Sequence, residues 1–236
     1  MVEMTIQEQI PPILRPEAVV PVPLKAFAQK FSLDLAPETA DVTLTGISMN
    51  TGDLRSGDLF VAMPGKKTHG AKFVAKALEQ GAVAVLTDAA GAAELGPLSV
   101  PVLILENPRS HLGDLAAYVY GNVPGNMPKL FATTGTNGKT STSYLLEGIL
   151  RQIGEVTGLT STAERHIAGE IIVSRLTTPE SPEMQALIAR MREKGVTAVA
   201  VEVSAQALSQ LRVDGMHFDV VGFTNLSHDH LDDYAD

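Results

Sequence analysis

The residues best suited to chemistry stand in Thr134-Gly135-Thr136-Asn137-Gly138-Lys139-Thr140. An apolar run from Leu130 to Thr133 precedes them, and a segment of helical spacing from Thr140 to about Ile153 follows. Strand, glycine-rich loop and helix in that order make a phosphate cradle. The glycines let backbone amides converge on phosphate oxygens, and the helix N-terminus adds about half a positive charge. Lys139 then reaches the β- and γ-phosphates, and the Thr140 hydroxyl is placed to ligate Mg²⁺. The strict pattern would have glycine at 133, where this chain has Thr133. The plainer alternative is a glycine turn capped by a threonine. It leaves the strand, two glycines and Gly-Lys-Thr in register as coincidence, so the spacing predicts a nucleotide site.

Glu202 ends the apolar run Val199-Ala-Val-Glu-Val-Ser204. A carboxylate at the carboxyl end of a buried strand is costly unless paired or metal-bound, and ligand crevices of open α/β sheets lie at those ends. Glu202 is therefore a candidate Mg²⁺ residue, or else a glutamate at an exposed strand edge. Thr224-Asn-Leu-Ser-His-Asp-His-Leu-Asp232 also follows an apolar run and holds two His and two Asp. It reads as a metal site or as a polar turn with an N-cap. Thr177-Thr178-Pro179-Glu180-Ser181-Pro182 reads first as a helix start, with Ser181 as cap and Pro182 at the first helical position, and second as a binding segment.

The elements that must carry these residues alternate. Short buried strands are expected at 42–48, 59–63, 82–86 and 101–105, with helices at 24–31, 71–79 and 109–120. After a turn-rich stretch, Gly121-Asn-Val-Pro-Gly-Asn-Met-Pro128, the pattern restarts: strand 130–133, the glycine loop and its helix, helix 181–194, strand 198–203 and strand 220–224. This is an α/β class with a mainly parallel sheet. Three parts are expected: a proline-rich extended arm over 1–23, an α/β domain over 24–127, and an incomplete P-loop domain over 128–236.

Composition narrows the classes. The formal net charge of −9 argues against nucleic acid as a partner. The absence of cysteine removes disulfides, thiolate nucleophiles and zinc–thiolate sites. No apolar run approaches a membrane span and no signal peptide is visible, so a cytoplasmic location is expected, without membrane insertion.

Six segments together resemble the Mur ligase family: Ser56-Gly-Asp-Leu-Phe-Val-Ala62, Thr134 to Thr140, Thr177-Thr-Pro-Glu180, Glu202-Val-Ser204, Arg212-Val-Asp-Gly215 and Phe223 to Asp232. The likeness is nearest to the members that add the third amino acid of the peptidoglycan stem. The resemblance implies a UDP-binding domain followed by an ATPase domain. It implies ATP and Mg²⁺, and a UDP-MurNAc-L-Ala-D-Glu substrate joined to an amino acid through an acyl phosphate. It implies catalytic roles for Lys139, Glu202 and His230, magnesium contacts from Thr140, Glu202 and His230, and ATP contacts along 134–140. Thr177, Thr178, Ser204, Gln210 and Arg212 take the places that hold the muramoyl dipeptide, and a guanidinium fork at Arg212 suits a carboxylate. Met49 and Thr51 take those that contact uridine.

The chain departs from the family pattern at three points. Asn50-Thr51-Gly52 stands where the family often has Asp-Ser-Arg, Ala205-Gln206 where it has Ser-His, and His228 where it has Arg. The family's modified lysine, its amino-acid domain and part of its adenine pocket have no counterpart here, so a truncated N-terminal portion, inactive alone and lacking the C-terminal half of the ligase, is expected. The competing readings are a folylpolyglutamate synthetase-like ligase, which the Ser56 to Ala62 segment disfavours, and a non-catalytic nucleotide- or UDP-sugar-binding module.

Overall fold

A computed structural model describes residues 13–36 and 41–227. The chain opens with β1 (Val22–Pro23), α1 (Leu24–Lys30) and β2 (Thr43–Leu44), β1 and β2 pairing antiparallel. Four parallel strands follow in chain order across one sheet: β3 (Gly46–Ser48), β4 (Asp58–Ala62), β5 (Ala84–Thr87) and β6 (Val102–Ile104). Helices α2 (Val74–Glu79) and α3 (Ala89–Glu94) make the returns from β4 to β5 and from β5 to β6 that parallel pairing requires, and α4 (Pro108–Val119) follows β6 on the way to the second sheet. β4 is buried along its whole length, because both faces are covered. Leu59 and Val61 pack with Leu24, Phe27, Leu112 and Leu115 on one face, while Phe60 and Ala62 pack with Val74 and Ala77 on the other.

The second sheet is built from β7 (Lys129–Thr134), α5 (Lys139–Gln152), β8 (Thr157–Thr160), β9 (Glu164–Ile167), β10 (Glu170–Val173), α6 (Ser181–Glu193), β11 (Ala198–Glu202), α7 (Ala205–Ser209) and β12 (Val220–Phe223). Its strand order is β10-β9-β8-β11-β7-β12. β8, β11, β7 and β12 are parallel, and β9 and β10 extend the sheet antiparallel. The chain moves to one side of β7 and then to the other, so β7 borders a topological switch, where the carboxyl ends of strands open a crevice. Helix α6 lies between the two sheets. Met184, Leu187, Ile188 and Met191 fill the second core while Ala186 and Ala189 reach the first, which is why it is buried nearly all round.

The sequence expectation of one strand over 42–48 is corrected. The segment is split between β2 and β3, which belong to different sheets. At the break the Thr45 amide donates to Gly57 O at 2.9 Å, and at Gly46 the backbone passes so close to the Asp58 carboxylate that a Cβ would collide with it. The antiparallel β9–β10 hairpin and the short helices α3 and α7 are also additions to the sequence reading. No described helix is long and apolar enough to cross a membrane.

Residues 13–23 contact both layers. Arg15 forms a buried fork with Asp58, each pairing at 2.7 Å. The amides of Glu17 and Ala18 donate to the Glu193 carboxylate at 2.9 and 2.6 Å, and Arg190 pairs with Glu17 and Glu193. Partial burial pushes the Glu193 carboxyl up, but those two amides and the Arg190 guanidinium outweigh it and hold it at about 2. A folded pKa below the ordinary 4.5 means stability that is present above 4.5 and lost as pH falls toward 2. Glu193→Gln should therefore destabilise the protein at pH 7, and its difference from wild type should shrink between pH 4.5 and 2. Urea unfolding at several pH values measures this; a gap independent of pH would exclude the clip.

Candidate functional site

β7 ends at Thr134 and α5 begins at Lys139, so the intervening loop lies at the carboxyl edge of the second sheet. Two glycines are required by geometry. Gly138, at φ +84°, is the N-cap of α5, and a Cβ there would meet nothing within 4 Å, so the cradle is open on that side. Gly135, at φ +124°, lies under the segment after β12, where a Cβ would collide with Thr224 Oγ1 and stand 2.8 Å from Asn225 O. The first four amides of α5 have no acceptor within the helix. The amides of Thr136 and Asn137, by contrast, are committed to Asn225, at 2.9 and 3.0 Å. Asn225 thus braces the loop, and the phosphate-facing donors narrow to the helix start. Lys139 Nζ donates to Thr136 O at 2.7 Å and lies folded over its own loop.

Glu202 closes β11 beside β7 and is 1% exposed. Its Oε1 accepts from Thr140 Oγ1 at 2.9 Å and Thr162 Oγ1 at 3.2 Å, and its Oε2 accepts from the Thr162 amide at 2.9 Å. Among the described residues its partners are neutral donors, not cations. Thr162 carried no sequence signal, being a lone threonine in the turn between β8 and β9. The structure fixes it by tying that hairpin to α5: Tyr144 OH donates to Glu164 at 2.8 Å, and His166 bridges Glu147 and Glu164 at 2.8 and 3.2 Å.

Thr177, Ser204 and Arg212 line the same cavity as Glu202. Thr177 Oγ1 lies 3.0 Å from Thr162 Oγ1. Ser204 caps α7 by accepting from the Ala207 amide at 3.2 Å. Arg212 donates to Thr178 O at 3.2 Å and to Gln210 Oε1 at 2.7 Å, and its Nε lies 2.9 Å from Glu180 Oε1. Lys139, Thr140, Glu202, Thr177, Ser204 and Arg212 line one cavity of about 310 Å³, together with Thr136, Asn137 and Gly138.

Other sequence candidates lie outside that lining. Thr134 is a ladder residue paired with Phe223, and Gly135 lies beneath the brace. Thr178 is fully buried, its hydroxyl donating to Glu202 O and accepting from the Ser204 amide, both at 3.0 Å, so it ties the strand end rather than facing a ligand. Gln210 stands behind Arg212. Met49 and Thr51 line a separate hollow of about 240 Å³ with Asn50, Phe60 and Phe73, at the carboxyl end of β3. Asp53, in the 3-10 turn Thr51–Asp53 below that hollow, pairs with Arg175 of the second layer at 3.0 Å. His230 lies outside the described residues.

Fold and cavity together define an α/β protein whose glycine loop opens a helix at the carboxyl edge of a parallel sheet, in a cavity that a carboxylate and a guanidinium also line. Two family models match it, the Mur ligase family catalytic domain over residues 43–120 and the Mur ligase middle domain over residues 133–236. The chain belongs to the Mur ligase family. It is 53% identical to a UDP-N-acetylmuramyl-tripeptide synthetase of Leifsonia xyli subsp. xyli, over 95% of this chain and 44% of that protein. It is 46% identical to a UDP-N-acetylmuramoyl-L-alanyl-D-glutamate–2,6-diaminopimelate ligase of Streptomyces avermitilis, over 94% of this chain and 43% of that one. A solved structure of a ligase with that same name shares the fold, with a TM-score of 0.71 at 22% identity over 91% of this chain and 42% of that one. The chain thus spans less than half the length of the curated relatives it matches.

Proposed function

We propose that the chain carries the nucleotide- and UDP-muramoyl-peptide-binding parts of an ATP-dependent, ADP-forming ligase of cytoplasmic peptidoglycan precursor synthesis. The reaction adds the third stem amino acid to UDP-MurNAc-L-Ala-D-Glu. One observation carries the reading: a single cavity is lined by Lys139, Thr140 and Glu202 together with Ser204, Thr177 and Arg212. The first three have the chemistry to hold polyphosphate and its cation, and the last three to hold a carboxylate, as phosphoryl transfer to a carboxylate requires. In this reading residues 24–127 form the UDP-sugar-binding part, with Met49 and Thr51 at the uridine, and residues 128–236 the P-loop part.

The residues suit Mg²⁺. The Thr140 hydroxyl and Glu202 carboxylate meet at 2.9 Å, oxygen donors of the kind Mg²⁺ takes. Among the described residues no cluster of three or more His, Asp or Glu could hold a metal, so phosphate oxygens and water would complete the shell, as is usual for this ion. Bound there, Mg²⁺ would neutralise charge on the transferred phosphoryl group. Lys139 leaves Thr136 O and turns to the γ-phosphate. Arg212 orients the glutamate carboxylate, whose oxygen attacks the γ-phosphorus while the β–γ bond breaks to release ADP. The incoming amine then attacks the acyl carbon, the acyl C–O bond breaks to release phosphate, and the nitrogen gives up a proton to solvent. The work is positioning and charge neutralisation.

Titration calorimetry of the chain with Mg²⁺ and a non-hydrolysable ATP analogue, and separately with UDP-MurNAc-L-Ala-D-Glu, tests this. Lys139→Ala should weaken nucleotide binding about 10- to 100-fold, the worth of a charge-assisted contact, and leave the UDP-sugar peptide unaffected. Arg212→Ala should do the reverse. If Lys139→Ala binds nucleotide as wild type does, the reading fails.

A further inference from the structure

Glu180 stands between two guanidinium groups from different layers of the protein. Its Oε2 accepts from Arg109 Nη1 at 2.7 Å, and its Oε1 lies 2.9 Å from Arg212 Nε. Arg109 belongs to the first turn of α4, beside the four-stranded sheet, whereas Glu180 and Arg212 belong to the second layer. Each carboxylate oxygen is therefore assigned to a different arginine. We propose that Arg109 is a positioning residue for Arg212, acting through Glu180, so that the first layer sets the charge the cavity presents to a peptide carboxylate. The proposal rests on the reading of Arg212 given above.

Four features support it. Glu180 occupies the N-cap position of α6 yet makes no capping bond, its side chain being turned to the arginines. The Arg212 Nε contact is close enough to pair charges but is not aligned as a hydrogen bond. Glu180 thus holds Arg212 loosely, while Thr178 O and Gln210 Oε1 set the direction of the guanidinium. The backbone is fixed on both sides. Ser181 Oγ lies 3.2 and 3.1 Å from Leu211 O and Arg212 O, and the residues leading into the two arginines, Leu211 and Asn107, hold left-handed φ of +55° and +56°. Only the head of Arg212 is left to move. Finally, two guanidiniums against one carboxylate leave one positive charge for a ligand. Without Arg109, Glu180 is free to close both oxygens on Arg212 in the strong two-bond fork, cancelling that charge and drawing the head off the cavity.

The test uses two probes on the same chain, UDP-MurNAc-L-Ala-D-Glu and UDP-MurNAc, which lacks the peptide carboxylates. UDP-MurNAc ends in its own lactoyl carboxylate, so the ratio of affinities reports the dipeptide with its D-Glu carboxylates against that shorter acid. Wild type should favour the dipeptide probe. Arg109→Gln should reduce that preference about tenfold, the scale of one charge-assisted contact, while UDP-MurNAc and nucleotide affinities stay constant and show that the fold is intact. Arg109→Lys should restore most of it. In Arg109→Gln/Glu180→Gln the captor is gone, so the preference should recover relative to Arg109→Gln alone, an outcome a merely structural bridge would not produce. An unchanged preference in Arg109→Gln, or a double variant no better than the single, overturns the proposal. Absence of any preference in wild type overturns the Arg212 reading itself, and this with it.

Discussion

Replacing Arg15 with methionine is expected to lower folding stability by about 3–5 kcal/mol, the scale for stranding one partner of a buried ion pair. Arg15 and Asp58 are 8% and 0% exposed. Both guanidinium amino groups reach the carboxylate at 2.7 Å, and Asp58 also accepts from the Arg55 amide at 2.8 Å. Methionine would fill the space and leave Asp58 facing one amide. The reciprocal change, Asp58→Asn, should also destabilise, because burial already works against the Arg15 charge and the Asp58 hydrogen bond is what sustains it. The double variant Arg15→Met/Asp58→Asn should be far milder than the sum of the singles, since neither charge is then stranded. Urea unfolding of all four proteins measures the coupling; additive singles would show that the pair is not the unit of stability. The effect should reach the hollow near Thr51, because Arg15 also donates to Asp53 O at 3.0 Å and so braces the turn Thr51–Asp53.

Arg15 also marks a limit of the sequence as a guide. Within Pro11-Pro12-Ile-Leu-Arg-Pro16 it reads as a charge in a solvated arm, since nothing local signals a carboxylate 43 residues away. Elements whose signals are local were legible. β4, β5 and β11 are unbroken apolar runs, buried on both faces, and α5 and α6 carry long helical patterns. The β9–β10 hairpin was not legible. Its turn is Ala168-Gly169, with φ of +49° and +92°, where an Asn-Gly pair would have signalled two left-handed residues. The split at Thr45 was hidden for a related reason, because strand spacing does not say which sheet each half joins. The convergence of Lys139, Thr140 and Glu202 could be read because parallel strands bring their carboxyl ends together. Thr162 and Arg109 could not be read, since they reach the cavity or its Arg212 only through tertiary contacts, and Glu180 was legible only as part of the 177–182 segment, not as a partner of Arg212.

Glu202→Gln should separate function from stability. Among the described residues the carboxylate, at 1% exposure, meets two hydroxyls and one amide, all neutral, so these residues leave its charge uncompensated. Glutamine keeps the shape. Its carbonyl can accept from the Thr162 amide, and the Thr140 and Thr162 hydroxyls can turn to accept from its amino group. No polar atom need be stranded, and the variant should gain about 0.5–2 kcal/mol in the absence of nucleotide, as changes that relieve a strained functional site commonly do. The same change removes the negative charge that would draw Mg²⁺ beside Thr140. The Mg²⁺ enhancement of nucleotide affinity should fall about 100-fold, the upper range for losing a supporting metal contact, while Mg²⁺-free affinity changes little. Thermal unfolding without ligand and nucleotide titration across Mg²⁺ concentrations read the two effects independently. A variant that is less stable than wild type would place Glu202 among the structural carboxylates, with Asp58. A variant that keeps the full Mg²⁺ enhancement would move the cation elsewhere along the phosphates. Higher stability together with lost Mg²⁺ enhancement is the pairing expected of a residue held for its chemistry against the preference of the fold.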